Sequence, residues 1–151
     1  MSPRVFRYPF FDPPLRPAGP YLPTKITNPK NGRAIEWYCL VDTGADTCLF
    51  SGDIATILGH KLSGKGVKSS VSMGVEGRSV ATFRHTFAIA LMHPTKPGTV
   101  VWRGRKKPFD CIDHNNCPQL LGVEEFLKFF RITIDYGRKQ TILQVPTRKS
   151  R

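Results

Sequence analysis

The stretch Trp37-Tyr38-Cys39-Leu40-Val41-Asp42-Thr43-Gly44-Ala45-Asp46-Thr47 carries an apolar run straight into a short polar turn. Its first five residues have strand composition, and a strand that ends on an acid presents a carboxylate at the lip of a sheet. The Thr43 hydroxyl hydrogen-bonds locally, and Gly44 permits a close backbone approach or a dihedral barred to residues with a Cβ. A carboxylate held among amides and hydroxyls has its rotamer fixed and its acidity tuned, which marks Asp42 as the candidate reactive acid.

Far downstream, Leu120-Leu121-Gly122 leads into the short amphipathic segment Val123-Glu124-Glu125-Phe126-Leu127. An apolar strand, Asp-Thr-Gly-Ala-Asp-Thr and then this apolar pair with glycine together resemble the retropepsin-like aspartic proteases, over roughly residues 21 to 145. The resemblance implies a mainly β chain: a closed, barrel-like retropepsin fold with one or two short helices and its active site at a homodimer two-fold axis. It implies Asp42 as the catalytic acid, with Thr43 and Gly44 supporting the turn. Ala45, Asp46, Met73, Gly74, Val75 and Gly77 would contact substrate, and Leu121 and Gly122 would pack against the active turn. One departure is plain. Retroviral members commonly carry arginine after this Gly, bracing the second aspartate of the turn; here Val123 stands there, so Asp46 needs another cation, a donor or solvent.

Working outward, Tyr21 to Thr27 and Ala34 to Val41 read as strands joined through Asn28-Pro29-Lys30-Asn31-Gly32, whose Asn-Gly pair favours a hairpin. Thr47 to Phe50 reads as the outgoing strand. Ser51 is placed to cap a short helix over 52 to 58, with Ile54, Ile57 and Leu58 at helical spacing and Gly59 as terminator. His60 has no partner set beside it by spacing and reads as an ordinary histidine. Val67 to Gly77 is a glycine-tipped segment from which Ser79 to Leu91 returns as a strand. In the resembled family this position is a flap that closes over substrate; from composition alone, an inert hairpin stays open as the alternative. Val123 to Phe130 is expected to be a short helix with an apolar side, followed by strands at Arg131 to Tyr136 and Gln140 to Val145.

The domain reading has three parts: a proline-rich arm at 1–20, a protease-like domain at 21–146 and a basic tail at 147–151. Within the domain, 93–119 reads as a polar, basic insertion holding Arg103-Gly104-Arg105-Lys106-Lys107 and Cys111-Ile112-Asp113-His114-Asn115-Asn116-Cys117. Zinc ligation, a Cys111/Cys117 disulfide and ordinary loop thiols are all open for that cluster. Zinc sites usually show two clear ligand pairs, and the reading adopted assigns no metal and no cofactor.

The chain has 151 residues, enough for one domain with a real core. Its 23 Lys and Arg against 11 Asp and Glu leave a formal net charge of +12, which favours acidic partners. The basic residues are dispersed with one dense patch, so a solvated surface is the simpler reading and nucleic acid remains a possible partner. No run suits a bilayer span, and no apolar signal segment opens the chain. The compartment is therefore unassigned, with a reducing, cytoplasmic one slightly favoured.

Hydrolysis by an aspartic mechanism needs two carboxylates sharing a proton, one activating water and one protonating the carbonyl oxygen. Only Asp42 occupies an Asp-Thr-Gly turn, and the chain has no repeated second half. A homodimer supplies the missing group most simply. The function expected is an aspartic endopeptidase acting on extended peptide or protein substrates. A catalytically silent interaction domain of the same fold is the alternative, and a basic nucleic-acid-associated protein a more remote one.

Overall fold

The structure is a computed structural model and describes residues 2–73, 77–114 and 117–147. Strands β2 (Tyr21–Thr27) and β3 (Ala34–Val41) pair antiparallel from Tyr21 opposite Leu40 to Thr27 opposite Ala34. Their connection is closed by Asn28 N–H donating to the Arg33 carbonyl and Gly32 N–H to the Asn28 carbonyl, with Gly32 at φ 74° as its Asn-Gly pair favours. After the polar turn the chain runs through β4 (Leu49–Ser51) into helix α1 (Gly52–Ile57), which buries Ile54 and Ala55. Gly59, at φ 88°, ends the helical segment. Ser51 occupies the N-cap but its side chain makes no capping bond. Its hydroxyl instead accepts from Gln119 Nε2 at 3.0 Å, while Ser51 N–H donates to Gln119 Oε1 at 2.7 Å.

The long strand β6 (Ser79–Met92) organises the remainder. It pairs with β5 (Ser69–Met73), β7 (Val100–Arg103), β8 (Lys107–Ile112) and β2. The main sheet has the order β2-β3-β9-β4-β8-β6-β5, where β9 is the two-residue strand Leu120–Leu121, and the β2–β6 pairing closes it into a ring. Inside lie Leu22, Ile26, Phe50, Phe87, Ile89, Phe109 and Leu121, with Phe50 stacked on Phe109 at 5.1 Å between centroids. Closure removes the edges that an open β-sheet would expose. The fold is thus mainly β and barrel-like with little helix, as expected.

Three expectations fail. The stretch read as a proline-rich arm contains β1 (Arg4–Pro9), which pairs with β11 (Gln140–Val145), itself paired with β10 (Arg131–Asp135). The first proline of that stretch precedes β1 and Pro9 closes it; Tyr8 is buried and donates its hydroxyl to the Met92 carbonyl at 2.8 Å, an anchor proline content does not disclose. The insertion at 93–119 is no plain polar loop either, since it supplies β7 and β8 to the main sheet. Finally, the helix expected at 123–129 is reduced to a turn and a 3-10 segment at Leu127–Phe129. The later backbone donors account for this: Leu127 and Lys128 N–H reach back five residues to the Gly122 and Val123 carbonyls, and Phe129 and Phe130 N–H only three, so no regular i→i−4 ladder forms, while Val123 and Glu124 N–H dock the segment on the carbonyls of Ala45 and Asp46. Phe126 is still fully buried there.

Candidate active site

β3 delivers Asp42 to the start of the turn, where its N–H donates to the Leu121 carbonyl at 3.1 Å. The carboxylate accepts from Gly44 N–H at 3.0 Å, and Ala45 N–H returns to the Asp42 carbonyl at 3.2 Å. These bonds fix the rotamer of a half-buried acid within the turn itself. The 42–47 turn is then tied to the downstream segment from both sides. Val123 N–H donates to Ala45 and Glu124 N–H to Asp46, each at 2.9 Å. Gly122 N–H points to Cys48 Sγ at 3.2 Å, and Glu125 Oε2 accepts from Cys48 N–H at 2.9 Å.

Gly122 is required by space. A Cβ there would collide with the Thr47 carbonyl carbon and oxygen and stand 2.8 Å from Cys48 N. Leu121 is fully buried, and its carbonyl accepts from Asp42 N–H. Gly44 differs. It is not among the glycines with positive φ, and a Cβ there would meet only Asp42 Oδ1 at 3.4 Å, an ordinary contact. Thr43 and Gly44 are both exposed.

A groove of about 690 Å³ opens over the turn. Asp42, Gly44, Ala45, Asp46 and Thr47 form its floor; Val71, Ser72, Met73 and Val80 of the β5–β6 hairpin face it. Met73 is 72% exposed and Val71 64%, so this apolar surface lies bare above the floor. Gly77 is exposed at φ 70°, whereas Gly74 and Val75 lie outside the described residues. Among the described residues the Asp46 carboxylate has no ion-pair partner. What Val123 cannot supply as a brace, the backbone bonds of Ala45 and Asp46 and the Glu125 carboxylate supply by other means.

Two residues, one lining the groove and one beneath the turn, escape the motif reading. Asp110 lines the groove beside Ile112 and Leu120. It bonds Arg84 Nε at 3.2 Å and accepts from Thr47 Oγ1 at 3.5 Å. The alternation of buried Phe109 and Cys111 about it was the available signal, because it turns Asp110 to the opposite face. Glu125 had none, since its partner is 77 positions away in sequence.

Cys39, Cys48, Cys111 and Cys117 are free thiols, so the Cys111/Cys117 disulfide is not formed. Burial pushes the Cys39 and Cys111 thiols up to about 12 and Cys48 higher still, leaving them protonated and unreactive at neutral pH. Among the described residues no group of three or more His, Cys, Asp or Glu is arranged to hold a metal. Also among them, no helix is long and apolar enough to cross a membrane.

By sequence, no family model and no curated protein matches the chain. In three dimensions it is similar to a retropepsin-like aspartic protease from Rickettsia conorii, with a TM-score of 0.57 at 18% identity, over 93% of this chain and 98% of that one. That likeness shows the fold: the ring-closed sheet described above is retropepsin-like.

Proposed function

We propose that the protein is an aspartic endopeptidase that works as a homodimer, with Asp42 of each protomer forming the catalytic pair. The observation that carries this reading is the Asp42 carboxylate, held by Gly44 N–H on the floor of an open groove in a retropepsin-like fold. One Asp42 deprotonates the attacking water while the other protonates the substrate carbonyl oxygen. Like-charge proximity keeps the pair singly protonated in acid. The exposure of Thr43 and Gly44 supports the dimer. Nothing within one chain requires a glycine at position 44, whereas the approach of a second, symmetry-related turn would use the missing side chain, and Thr43 would brace the pair. The terminal strands β1, β10 and β11 pair within one chain, so the two-fold contact is built around the turns rather than by exchanging termini.

An extended peptide suits the groove. Ala45, Asp46 and the β5–β6 hairpin flank it as backbone partners, and the exposed Val71 and Met73 act as a flap over apolar side chains. Gly77, exposed at φ 70°, belongs to the same flap. The test is mass-resolved digestion of a peptide library by wild type and Asp42→Asn across pH, with solution masses measured for both. The near-isosteric amide keeps the turn's acceptor, so the variant is expected to fold and dimerise while cleavage falls to background, and wild-type cleavage peaks in acid. Equal cleavage by both proteins would reject Asp42 as catalyst. A monomeric mass throughout the active concentration range would reject the dimer. A dimer without cleavage would select the silent interaction domain.

A further inference from the structure

A second cavity, of about 430 Å³, is lined by Lys30, Lys61, Arg84, His60 and His85, together with Asn28, Asn31, Gly59, Gly66 and Thr86. Among the described residues no Asp or Glu lines it. The basic groups come from separate elements: Lys30 from the β2–β3 connection, His60 and Lys61 from the segment after α1, Arg84 and His85 from β6. Arg33 adds to them, its Nη1 lying 3.4 Å from where a Cβ on Gly59 would stand. The carboxylate that reaches this group is Asp110, which takes Arg84 through Nε from the groove side.

The pocket's acceptors are already used. Asn28 Oδ1 accepts from Lys30 N–H and Asn31 Oδ1 from Arg33 N–H, while both side-chain amides donate to the Leu58 carbonyl. The two imidazoles lie 4.7 Å apart. His60 Nε2 reaches the Thr86 carbonyl at 3.0 Å and His85 Nε2 the Leu62 carbonyl at 2.9 Å. Carbonyls only accept, so both Nε2 atoms carry hydrogen, and each Nδ1 is left to take a proton when the ring becomes charged. A cavity whose amide oxygens are engaged, which gathers lysine, arginine and two imidazoles able to protonate at Nδ1, and whose described wall has no carboxylate, is complementary to a polyanion. Without one, the cations repel: desolvation, then His85 and Lys30, hold His60 below its ordinary value.

We propose that this pocket binds a small phosphate-bearing anion, with Lys30, Lys61, Arg84 and the His60–His85 pair as its ligands. The claim does not depend on the peptidase reading. Inorganic tripolyphosphate is the probe, titrated calorimetrically at about 0.15 M salt, where diffuse attraction is screened. The comparison is between wild type, Lys30→Gln/Lys61→Gln and Lys96→Gln/Lys139→Gln; the last double removes equal charge from exposed positions outside the pocket. Saturable binding at one site per chain is expected, weakened roughly tenfold or more by the pocket double and less than about twofold by the control. The His60 C2–H resonance should titrate at higher pH with the probe bound, because a polyanion favours the charged ring. Absent saturation, equal weakening by both doubles, or an unmoved His60 titration would overturn the site. So would a single-stranded oligonucleotide that binds more tightly than tripolyphosphate and is weakened equally by both doubles. That outcome would assign phosphate affinity to the basic surface as a whole.

Discussion

The groove and the basic pocket share one ion pair, Arg84 with Asp110, yet they are built on opposite plans. The groove gathers Asp42, Asp46 and Asp110, and its floor is held by backbone bonds and by a glycine with no room for a Cβ. The pocket gathers Lys30, Lys61, Arg84, His60 and His85 on side chains that mostly reach from the surface. On a chain of net charge +12, the groove is lined by three acids and, among the described residues, by no Lys or Arg. Chemistry that needs fixed geometry sits where backbone meets backbone. Charge recognition tolerates flexible arms.

The largest test of this contrast on the fold is Gly122→Ala. The added methyl meets the Thr47 carbonyl and Cys48 N, neither of which is the far end of a flexible side chain. Backbone must therefore shift on both strands. We expect a loss of roughly 3 kcal/mol or more, at the upper end for overpacking, seen as a melting midpoint lowered by on the order of 10 °C for a chain of this size. Peptide cleavage should fall further than the folded fraction does, because the displaced segment carries Asp42. An alanine variant with an unchanged midpoint would show that the floor is as adaptable as the pocket rim, and the contrast would dissolve.

Glu125 gives a smaller effect with a built-in control. Its carboxylate satisfies Cys48 N–H at 2.9 Å beneath the turn. Glu125→Ala leaves that donor without its partner, at a cost of roughly 1–3 kcal/mol, whereas Glu125→Gln keeps an acceptor oxygen and should recover most of it. Chemical denaturation of the two variants distinguishes a hydrogen-bonding role from a purely electrostatic one, for which glutamine would be no better than alanine.

How much of this was legible in the sequence follows the range of the interactions. Tyr21–Thr27, Ala34–Val41 and the hairpin between them were readable because alternation, an Asn-Gly turn and an apolar run are local. Asp42 was readable because its neighbours announce a turn. The placement of β1 was not, since proline content argued against an element that Tyr8 and the pairing with β11 hold in place. The 123–129 helix failed for a related reason: its apolar spacing was real, but docking on the polar turn leaves its later backbone donors reaching back five or three residues instead of four. Asp110, Glu125 and the whole basic pocket depend on partners brought together by ring closure. In the sequence the pocket's cations are scattered from Lys30 to His85, and nothing local joins them.

The smallest effect lies in the pocket and concerns pH. Burial, followed by the charges of His85 and Lys30, holds His60 below its ordinary 6.5, while its bond to the Thr86 carbonyl pulls the other way. In the unfolded chain His60 takes its proton as pH falls through 6.5; in the folded chain it does so only at lower pH. Between those two points the unfolded state binds more protons, so stability rises with pH there, and the contribution present above 6.5 is lost on acidification. His60→Gln places an amide where Nε2 stood, able to donate to Thr86 without titrating. Its midpoint, measured by denaturation at successive pH values, should fall less steeply than wild type just below 6.5 and run parallel to it above. The lowered Glu124, paired with Lys128 at 2.8 Å, gives up its own contribution only as pH drops from 4.5 downward. The two cavities then pull against each other in acid, the catalytic pair proposed for the groove favouring protonation while the unliganded pocket resists it. Identical pH slopes for wild type and His60→Gln would mean that the imidazole is solvated enough to titrate alike in both states, and the pocket would lose the electrostatic strain that distinguishes it from the groove.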